Sequence, residues 1–171
     1  MKAAGGNEYA LAINNSGVVR ATGVSKRGGR VLLTAGGKVK NSGRVRATKR
    51  VRIKSRKKIR NTGVVQAKQE IIFEAPEIEI AAGSLLDVSG ALGGGSVFVG
   101  GGYQGTNTDW DGNIIDIEEN AANVVIEAGA EINASATESG DAGQIVIWSR
   151  KVVDADGLVS VPIEQLCRSL K

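Results

Sequence analysis

The sequence contains no histidine and only one cysteine, Cys167. A single cysteine excludes a disulfide within the chain, and the lack of histidine excludes Cys/His zinc sites and histidine-based acid/base catalysis. Aromatic residues are also scarce, with two each of Phe, Trp and Tyr among 171 residues. These absences remove much of the chemistry that enzymes use.

Long apolar segments are missing as well. No apolar run approaches the ~18 residues of a membrane-spanning helix, and residues 1–6 lack the apolar core of a signal peptide. We therefore expect no transmembrane segment and no signal peptide in this chain, so that export would need a signal outside it. Glycine, in contrast, is abundant at 24 residues, about twice its usual share of ~7%. This composition suits many short strands joined by tight corners, and the length fits one domain.

A repeat organises the chain. From Ile59 to Phe73, apolar and polar residues alternate with a period of two around an Asn-x-Gly corner, which predicts short half-buried strands. Equivalent segments surround Asn15 and Asn41, and Asn61 occupies the same corner in the first segment. Asparagine tolerates left-handed backbone geometry, and stacked amides can hydrogen-bond to one another. The alternative interpretation is that these are ordinary turn residues.

Alignment of the repeats predicts three ladders of inward-facing apolar residues, with a period of 20 or 21 residues where the repeat is uninterrupted. The first ladder contains Ile13, Val39, Ile59, Ile80, Ile126 and Val153. The second contains Val19, Val45, Val65, Leu86, Ile132 and Val159. The third contains Val31/Leu33, Val51/Ile53, Ile71/Phe73, Val97/Val99 and Ile145/Ile147.

An in-register repeat of this length with a side-chain period of two predicts an all-β fold. Each coil of three strands would climb by one strand spacing, ~4.8 Å. We predict a single-stranded right-handed parallel β-helix, a solenoid of about six coils, because parallel connections are almost always right-handed. The shaft would span residues 1–161, with an inserted loop at residues 101–123 that leaves the shaft.

The second half of the chain contains more specific segments. They are Leu86-Asp87-Val88-Ser89-Gly90-Ala91, the glycine-rich run over residues 93–105, Ile132-Asn133-Ala134-Ser135-Ala136 and Gly143-Gln144-Ile145-Val146-Ile147-Trp148-Ser149. Together with the upstream repeats, over about residues 9–160, they resemble the β-helical shaft of filamentous haemagglutinin-type exoproteins, adhesins exported by two-partner secretion.

The resemblance implies a secreted or outer-membrane surface location, an outer-membrane secretion partner, a glycan or protein receptor on host or other cells, and a structural or adhesive role without catalysis. The chain lacks the secretion domain and signal of that family, and it is far shorter than a complete exoprotein. We therefore expect a fragment or a truncated copy. No cofactor is required for such a role.

Charge is divided along the chain. Residues 20–68 contain 17 Lys and Arg and no Asp or Glu, whereas residues 69–149 contain 14 Asp and Glu and no Lys or Arg. The predicted alignment stacks cations in the pairs Arg20/Arg46, Arg30/Arg50, Lys38/Lys58 and Lys40/Arg60. At the boundary it places opposite charges together in the pairs Arg50/Glu70, Lys54/Glu74 and Lys58/Glu79.

Stacked like charges about 5 Å apart repel one another, and an extended anion would relieve the repulsion. One hypothesis is therefore that the basic half binds a polyanion such as a sulfated glycan, lipopolysaccharide or nucleic acid. The candidate residues are Arg20, Lys40, Arg44, Arg46, Arg50, Arg52, Lys54, Lys58 and Arg60. The alternative is a solvated basic surface without a ligand. Residues 20–68 contain no aromatic residue for base stacking, which argues against sequence-specific nucleic-acid binding.

The inserted loop has the spacing of a twelve-residue calcium loop. Oxygen ligands would come from Asn107, Asp109, Asp111, the carbonyl of Asn113 and a bidentate Glu118. Gly112 would make the sharp turn, and Ile114 would pack inward. Calcium is thus a possible cofactor, although short Asp/Asn/Gly runs are also ordinary loop sequence.

Two further interpretations stay open. Asp109 and Asp111 could supply an acid and a base for a carbohydrate-active enzyme, but two carboxylates on one loop are poorly preorganised and the shaft offers no sugar-stacking groove. In the tail, residues 162–171, the apolar residues Ile163, Leu166, Cys167 and Leu170 share one helical face. They predict either a short helix that caps the last coil or an accidental pattern at a truncation.

Overall fold

The computed structural model describes residues 2–3, 11–21 and 29–160. These residues form eighteen strands and one 3₁₀ turn, Tyr103–Gly105, with no α-helix among them. The strands are β1 (Lys2–Ala3), β2 (Leu11–Asn15), β3 (Val18–Ala21), β4 (Arg30–Ala35), β5 (Lys38–Asn41), β6 (Arg44–Ala47), β7 (Arg50–Ser55), β8 (Lys58–Asn61), β9 (Val64–Gln66), β10 (Glu70–Glu74), β11 (Glu77–Ile80), β12 (Leu85–Asp87), β13 (Ser96–Val99), β14 (Asn123–Ile126), β15 (Glu131–Asn133), β16 (Gln144–Ile147), β17 (Val152–Ala155) and β18 (Leu158–Ser160).

The strands form three sheets of six, and every neighbouring pair is parallel. The first sheet has the order β1-β4-β7-β10-β13-β16, and the second has the order β2-β5-β8-β11-β14-β17. The third sheet has the order β3-β6-β9-β12-β15-β18. Each coil contributes one strand to each sheet, so the prediction of a parallel β-helix of about six coils is confirmed. The second coil is β4–β6, the third is β7–β9 and the fourth is β10–β12.

The core runs along the axis between the three sheets. The predicted second and third ladders are confirmed by the register, in which Val45, Val65 and Leu86 are successive partners, as are Ile53, Phe73 and Val99 in the first sheet. These side chains are almost completely buried, with exposed fractions of 0% for Val65, Leu86 and Phe73. Apolar residues therefore face inward at alternate positions, as a half-buried strand requires.

The predicted first ladder was wrong by two residues in the middle of the chain. Ile78, not Ile80, lies opposite Ile59, and Val124 follows Ile78. The cause is the corner before the third sheet. Two residues separate β8 from β9, whereas four residues, 81–84, separate β11 from β12. Counting back from Leu86 therefore selects Ile80, which lies opposite Asn61.

Asparagine amides form a ladder beside the core. Asn15 Nδ2 donates to Asn41 Oδ1 at 2.8 Å, and Asn41 Nδ2 donates to Asn61 Oδ1 at 2.6 Å. Asn41 and Asn61 are completely buried, and Ile80 and Ile126 continue the same column as apolar residues. The predicted amide stacking is confirmed, but left-handed geometry is not, because Gln104 is the only non-glycine residue with positive φ in the described ranges.

The glycines of the same corner allow the backbones of successive coils to approach each other closely. A Cβ atom on Gly43 would collide with the carbonyl oxygen of Gly17, and one on Gly63 would collide with that of Gly43. The corner therefore packs backbone against backbone from coil to coil, without room for a side chain.

Over the described part of the chain, no helix is long and apolar enough to cross a membrane. The predicted tail at residues 162–171, with its possible capping helix, lies outside the described residues.

Candidate functional site

The insertion, residues 100–122, connects β13 to β14 and lies on the outer face of the first sheet. Ile115 and Ile117 are 5% and 8% exposed and form a cluster with Ile72 and Phe98, on which the half-buried Val146 also packs. Ile72 and Phe98 are apolar residues at outward positions of β10 and β13. The insertion contributes no strand to the three sheets, and it docks on the first sheet because these outward apolar residues need a cover. The sequence did not predict this docking.

Acidic residues of the insertion pair with the basic third coil. Asp116 forms an ion pair with Arg52, and Glu118 contacts Lys54 at 2.5 Å and Arg52 at 3.6 Å. Glu74 of β10, only 2% exposed, contacts the same two cations at 2.7 and 2.9 Å. The Glu118 backbone N–H also donates to Glu74 Oε1 at 3.4 Å. The result is a network of two cations and three carboxylates, which we call the clamp. Arg52 and Glu74 are buried, and Asp116 and Glu118 cover them from the exposed side.

The clamp favours the charged forms of Arg52, Lys54 and Glu118. Burial acts to lower the pKa values of Arg52 and Lys54, but hydrogen bonds and charge attraction from Glu74, Asp116 and Glu118 outweigh it and raise both pKa values. The hydrogen bond from Lys54 lowers the pKa of Glu118. At neutral pH the two cations are therefore charged and held by the protein's own carboxylates.

The other three candidate anion-binding residues of the third coil, Arg50, Lys58 and Arg60, are also ion-paired. Arg50 forms an ion pair with Glu70, and Glu79 contacts Lys58 at 2.7 Å and Arg60 at 2.8 Å. The predicted contacts of the boundary are thus present, although the register places Glu79 opposite Arg60 and not opposite Lys58. All five candidate anion-binding residues of the third coil have a carboxylate partner within the molecule.

The pKa values of Glu70 and Glu79 are shifted in opposite directions. Burial raises the pKa of Glu70, and the nearby charge of Arg50 does not compensate for it. Burial acts in the same direction on Glu79, but the hydrogen bond and charge of Lys58 and the charge of Arg60 outweigh it and lower the pKa of Glu79.

The second coil keeps its positive charge at the surface. On the second sheet, Lys38 and Lys40 are exposed and have no ion pair among the described residues. With Lys58, Arg60 and Glu79 they line a cleft of about 230 Å³. Four cations and one carboxylate therefore surround a concave surface, and this arrangement favours an anionic ligand.

The third sheet carries the other predicted basic residues. Arg44 and Arg46 are exposed, and the register places Arg20 opposite Arg46. Arg46 Nε donates to Gln66 Oε1 at 2.6 Å, and Gln66 Nε2 donates to Asp87 Oδ2 at 2.9 Å. Hydrogen bonds tie Arg46 to the coils beyond it, so it is less available than the lysines of the cleft.

Four of the five predicted calcium ligands, Asp109, Asp111, Asn113 and Glu118, hold hydrogen bonds or ion pairs within the protein. Asp109 accepts hydrogen bonds from the backbone N–H and the side-chain amide of Asn113, at 2.7 and 2.9 Å. The backbone carbonyl of Asn107 accepts the backbone N–H of Ile115. Asp111 accepts a bond from Gln144 at 3.0 Å. Glu118 belongs to the clamp. In the described ranges, no group of three or more His, Cys, Asp or Glu side chains is placed to hold a metal ion.

The loop around these residues is a short hairpin, in which Thr108 bridges Ile114. Gly112 makes its sharp turn with φ +82°, as expected. Ile114 does not pack inward and is 82% exposed, because Ile115 is the residue that faces the sheet. Asp109 and Asp111, the pair considered for acid/base catalysis, both accept hydrogen bonds that stabilise and attach the hairpin.

Sequence reasoning missed the roles of Ile115, Asp116 and Ile117. A signal was present, because residues 115–118 alternate between apolar and acidic residues with a period of two. A second signal was the pair of outward apolar residues, Ile72 and Phe98, where a solvated strand face would be polar.

No protein-family model, curated protein or solved structure matches this chain. The resemblance to haemagglutinin-type exoproteins therefore rests on the residues quoted for it, and the geometry carries the functional argument.

Proposed function

We propose that this chain is a rigid shaft segment of a surface-exposed or secreted adhesin of the filamentous haemagglutinin type, and that it is not itself an enzyme. The observation that supports this proposal is the continuous stack of six coils, in which the same three sheets extend through every coil. Such a solenoid lengthens by adding coils, and this property suits a spacer that presents a binding surface away from its attachment.

The shaft proposal is tested by adding one coil. A second copy of residues 50–69 inserted after residue 69 should lengthen the folded particle by about 4.8 Å, measured by small-angle X-ray scattering. The control is a glycine/serine insert of the same length, which should add a loop without lengthening the folded core. A repeat insert that unfolds the protein, or lengthens it no more than the control, would contradict a modular shaft.

The surface location is tested separately. Antibodies raised against the purified chain should label intact cells that produce it, with no increase after the cells are permeabilised. Labelling that requires permeabilisation would exclude an adhesin at the cell surface, whatever the fold.

A second candidate function is polyanion binding, and the cleft on the second sheet favours it. Lys38 and Lys40 lack acidic partners in the described residues, and Lys58 and Arg60 share the single carboxylate of Glu79. Because Arg50, Arg52 and Lys54 are ion-paired elsewhere, we place the binding surface on the second sheet and not along the whole basic half.

Heparin-column retention as a function of salt tests this candidate. The variant Lys38→Ser/Lys40→Ser should elute at clearly lower salt than the unmodified chain, because counterion release scales with the number of cations contacted. The matched control is Arg150→Ser/Lys151→Ser, which removes two exposed cations far along the chain and gives the same net charge. Equal losses in both variants would indicate a response to net charge alone, and retention independent of salt would exclude the candidate.

A further inference from the structure

Two aromatic side chains lie together on the insertion. Tyr103 of the 3₁₀ turn and Trp110 of the hairpin pack edge to face, with ring centroids 4.5 Å apart and ring planes at 68°. Trp110 is 43% exposed and Tyr103 is half-buried, whereas Phe73 and Phe98 are buried. Trp110 is the one exposed aromatic residue of the described ranges. The pair thus presents one exposed ring, supported by a half-buried one, and such a surface suits contact with a ligand.

The pair is held in place by the shaft. The Trp110 backbone N–H donates to Gln144 Oε1 at 3.2 Å, and Gln144 Nε2 donates to Asp111 Oδ2 at 3.0 Å. Gln144 belongs to β16 of the first sheet, so the hairpin is attached to a regular strand. A ligand that meets these rings does not have to order the loop, and this preorganisation favours affinity.

A strained residue adjoins the aromatic pair. Gln104 has φ +52°, the only positive value of a non-glycine residue among those described. Its exposed side-chain amide donates to the Tyr103 hydroxyl at 3.2 Å. Backbone strain of this kind persists where the surrounding structure over-determines it, and it clusters at binding sites. The backbone conformation of Gln104 places its side-chain amide, with one donor and one acceptor group, beside the rings.

The charge around the rings selects the ligand. Residues 100–122 contain no Lys or Arg, and two of their carboxylates, Asp109 and Asp111, lie in the hairpin itself. Sulfate, phosphate and carboxylate groups would be repelled there. An uncharged sugar ring fits instead, because it offers a face of C–H groups to an aromatic ring and hydroxyl groups to nearby amides and carboxylates.

We propose that Tyr103, Gln104 and Trp110 form a binding site for an uncharged saccharide. Trp110 stacks against the C–H face of one sugar ring, and the Gln104 amide hydrogen-bonds its hydroxyl groups. The site goes beyond the proposed spacer role, since it would give this segment a receptor of its own, and it is separate from the basic cleft on the second sheet.

The test begins with a glycan array that contains neutral, sialylated and sulfated oligosaccharides, probed with the full chain. We expect capture by neutral glycans that persists at high salt. The strongest neutral binder is then titrated into ¹⁵N-labelled protein, which has two tryptophans and thus two indole N–H resonances. The resonance assigned to Trp110 with the variant Trp110→Phe should shift, and it should shift more than that of Trp148, whose indole packs behind the turn on Gly105.

Variants locate the site. Trp110→Ala should weaken binding of the same glycan about tenfold or more, as expected for the central aromatic residue of a site. Gln104→Ala should weaken it while leaving the aromatic pair in place. The matched control is Ile114→Ala, which truncates an 82% exposed residue of the same hairpin and should leave affinity unchanged. The proposal is overturned if no neutral glycan is captured, if only sulfated glycans are captured, or if Trp110→Ala and Ile114→Ala have the same effect.

Discussion

The second and third coils have similar sequences but different surroundings. Arg30 lies opposite Arg50, and Lys40 lies opposite Arg60, so basic residues occupy matching outward positions in both coils. In the third coil the cations of these positions are paired with carboxylates of the fourth coil or the insertion. In the second coil Lys38 and Lys40 stay exposed beside other cations.

The difference teaches that a cation's role in a solenoid depends on the coil next to it. Because each strand contacts the strands before and after it in the stack, a basic repeat next to an acidic repeat becomes part of the structure. A basic repeat next to another basic repeat keeps exposed cations without carboxylate partners. Only such a repeat is suited to bind an anionic ligand.

The largest expected effect comes from removing the buried acid of the clamp. Glu74→Gln should lower the free energy of unfolding by about 3 kcal/mol, because Arg52, itself only 8% exposed, loses a carboxylate partner in a buried site. Arg52 would keep only the exposed carboxylates of Asp116 and Glu118, and Lys54 would keep only that of Glu118. Urea unfolding followed by far-UV circular dichroism measures the change.

The control for Glu74 is Glu77→Gln in β11, where the carboxylate is exposed. This change should alter stability by no more than about 0.5 kcal/mol. Similar losses in the two variants would mean that the clamp contributes no more than an exposed charge.

The second largest effect on stability comes from the apolar contact that docks the insertion on the first sheet. Ile115→Ala should lower the free energy of unfolding by about 2 kcal/mol, since Ile115 is 5% exposed in the cluster with Ile72 and Phe98. Ile114→Ala, at the 82% exposed neighbour, should change it by less than about 0.5 kcal/mol. Thermal unfolding of both variants distinguishes them, and a larger loss for Ile114→Ala would contradict the described orientation of the hairpin.

Much of this fold was predictable because its rules are local and periodic. Alternating apolar residues and the spacing of Asn15, Asn41 and Asn61 were sufficient for the coils, the amide ladder and two of the three apolar ladders. The register of Ile78 and Ile80 was not predictable by counting, because the length of a corner depends on how its backbone stacks on the next coil. Two extra residues at that corner shift the alignment of the repeats, and they leave the alternation of apolar and polar residues unchanged on either side.

The candidate site was harder to predict because it combines distant parts of the chain. Arg52 and Asp116 are far apart in sequence, and their pairing depends on where the insertion docks. The outward residues Ile72 and Phe98 indicated that something covers the first sheet, but the sequence does not say which segment does so. The 17 cations of residues 20–68 therefore predicted a larger basic surface than the described part of that segment presents.

A smaller effect is expected when the second coil is given an acid of its own. Lys40→Glu places a carboxylate opposite Arg60, where the unmodified chain has two cations in register. Stability should rise by about 0.5 kcal/mol, the usual size of an exposed cross-strand pair, and retention on heparin should fall. Lys40→Gln separates relief of repulsion from new attraction, and a destabilised Lys40→Glu would show that stacked cations cost this coil little.

The smallest effect is a difference in pH dependence between two carboxylates that pair with the third coil. The pKa of Glu79 is lowered below its ordinary value of 4.5, because Lys58 and Arg60 outweigh the effect of burial. The stabilisation by Glu79 is therefore complete above that pH and is lost as pH falls through the folded pKa. Glu79→Gln should make the loss of stability in acid shallower, by less than about 1 kcal/mol because the pair is partly exposed.

The contribution of Glu70 to the pH dependence of stability should have the opposite sign to that of Glu79. Burial raises its pKa, so the folded protein binds that proton more tightly than the unfolded chain, and protonation stabilises the fold as pH falls through the folded pKa. Glu70→Gln should then make the acid-induced loss steeper. Urea unfolding of both variants compares the slopes above pH 4.5, where Glu70 titrates in the folded protein, and below pH 4.5, where Glu79 does. Both carboxylates face cations of the same coil. If the slope of unfolding free energy against pH changes in the same direction in both variants, burial does not distinguish the two ion pairs.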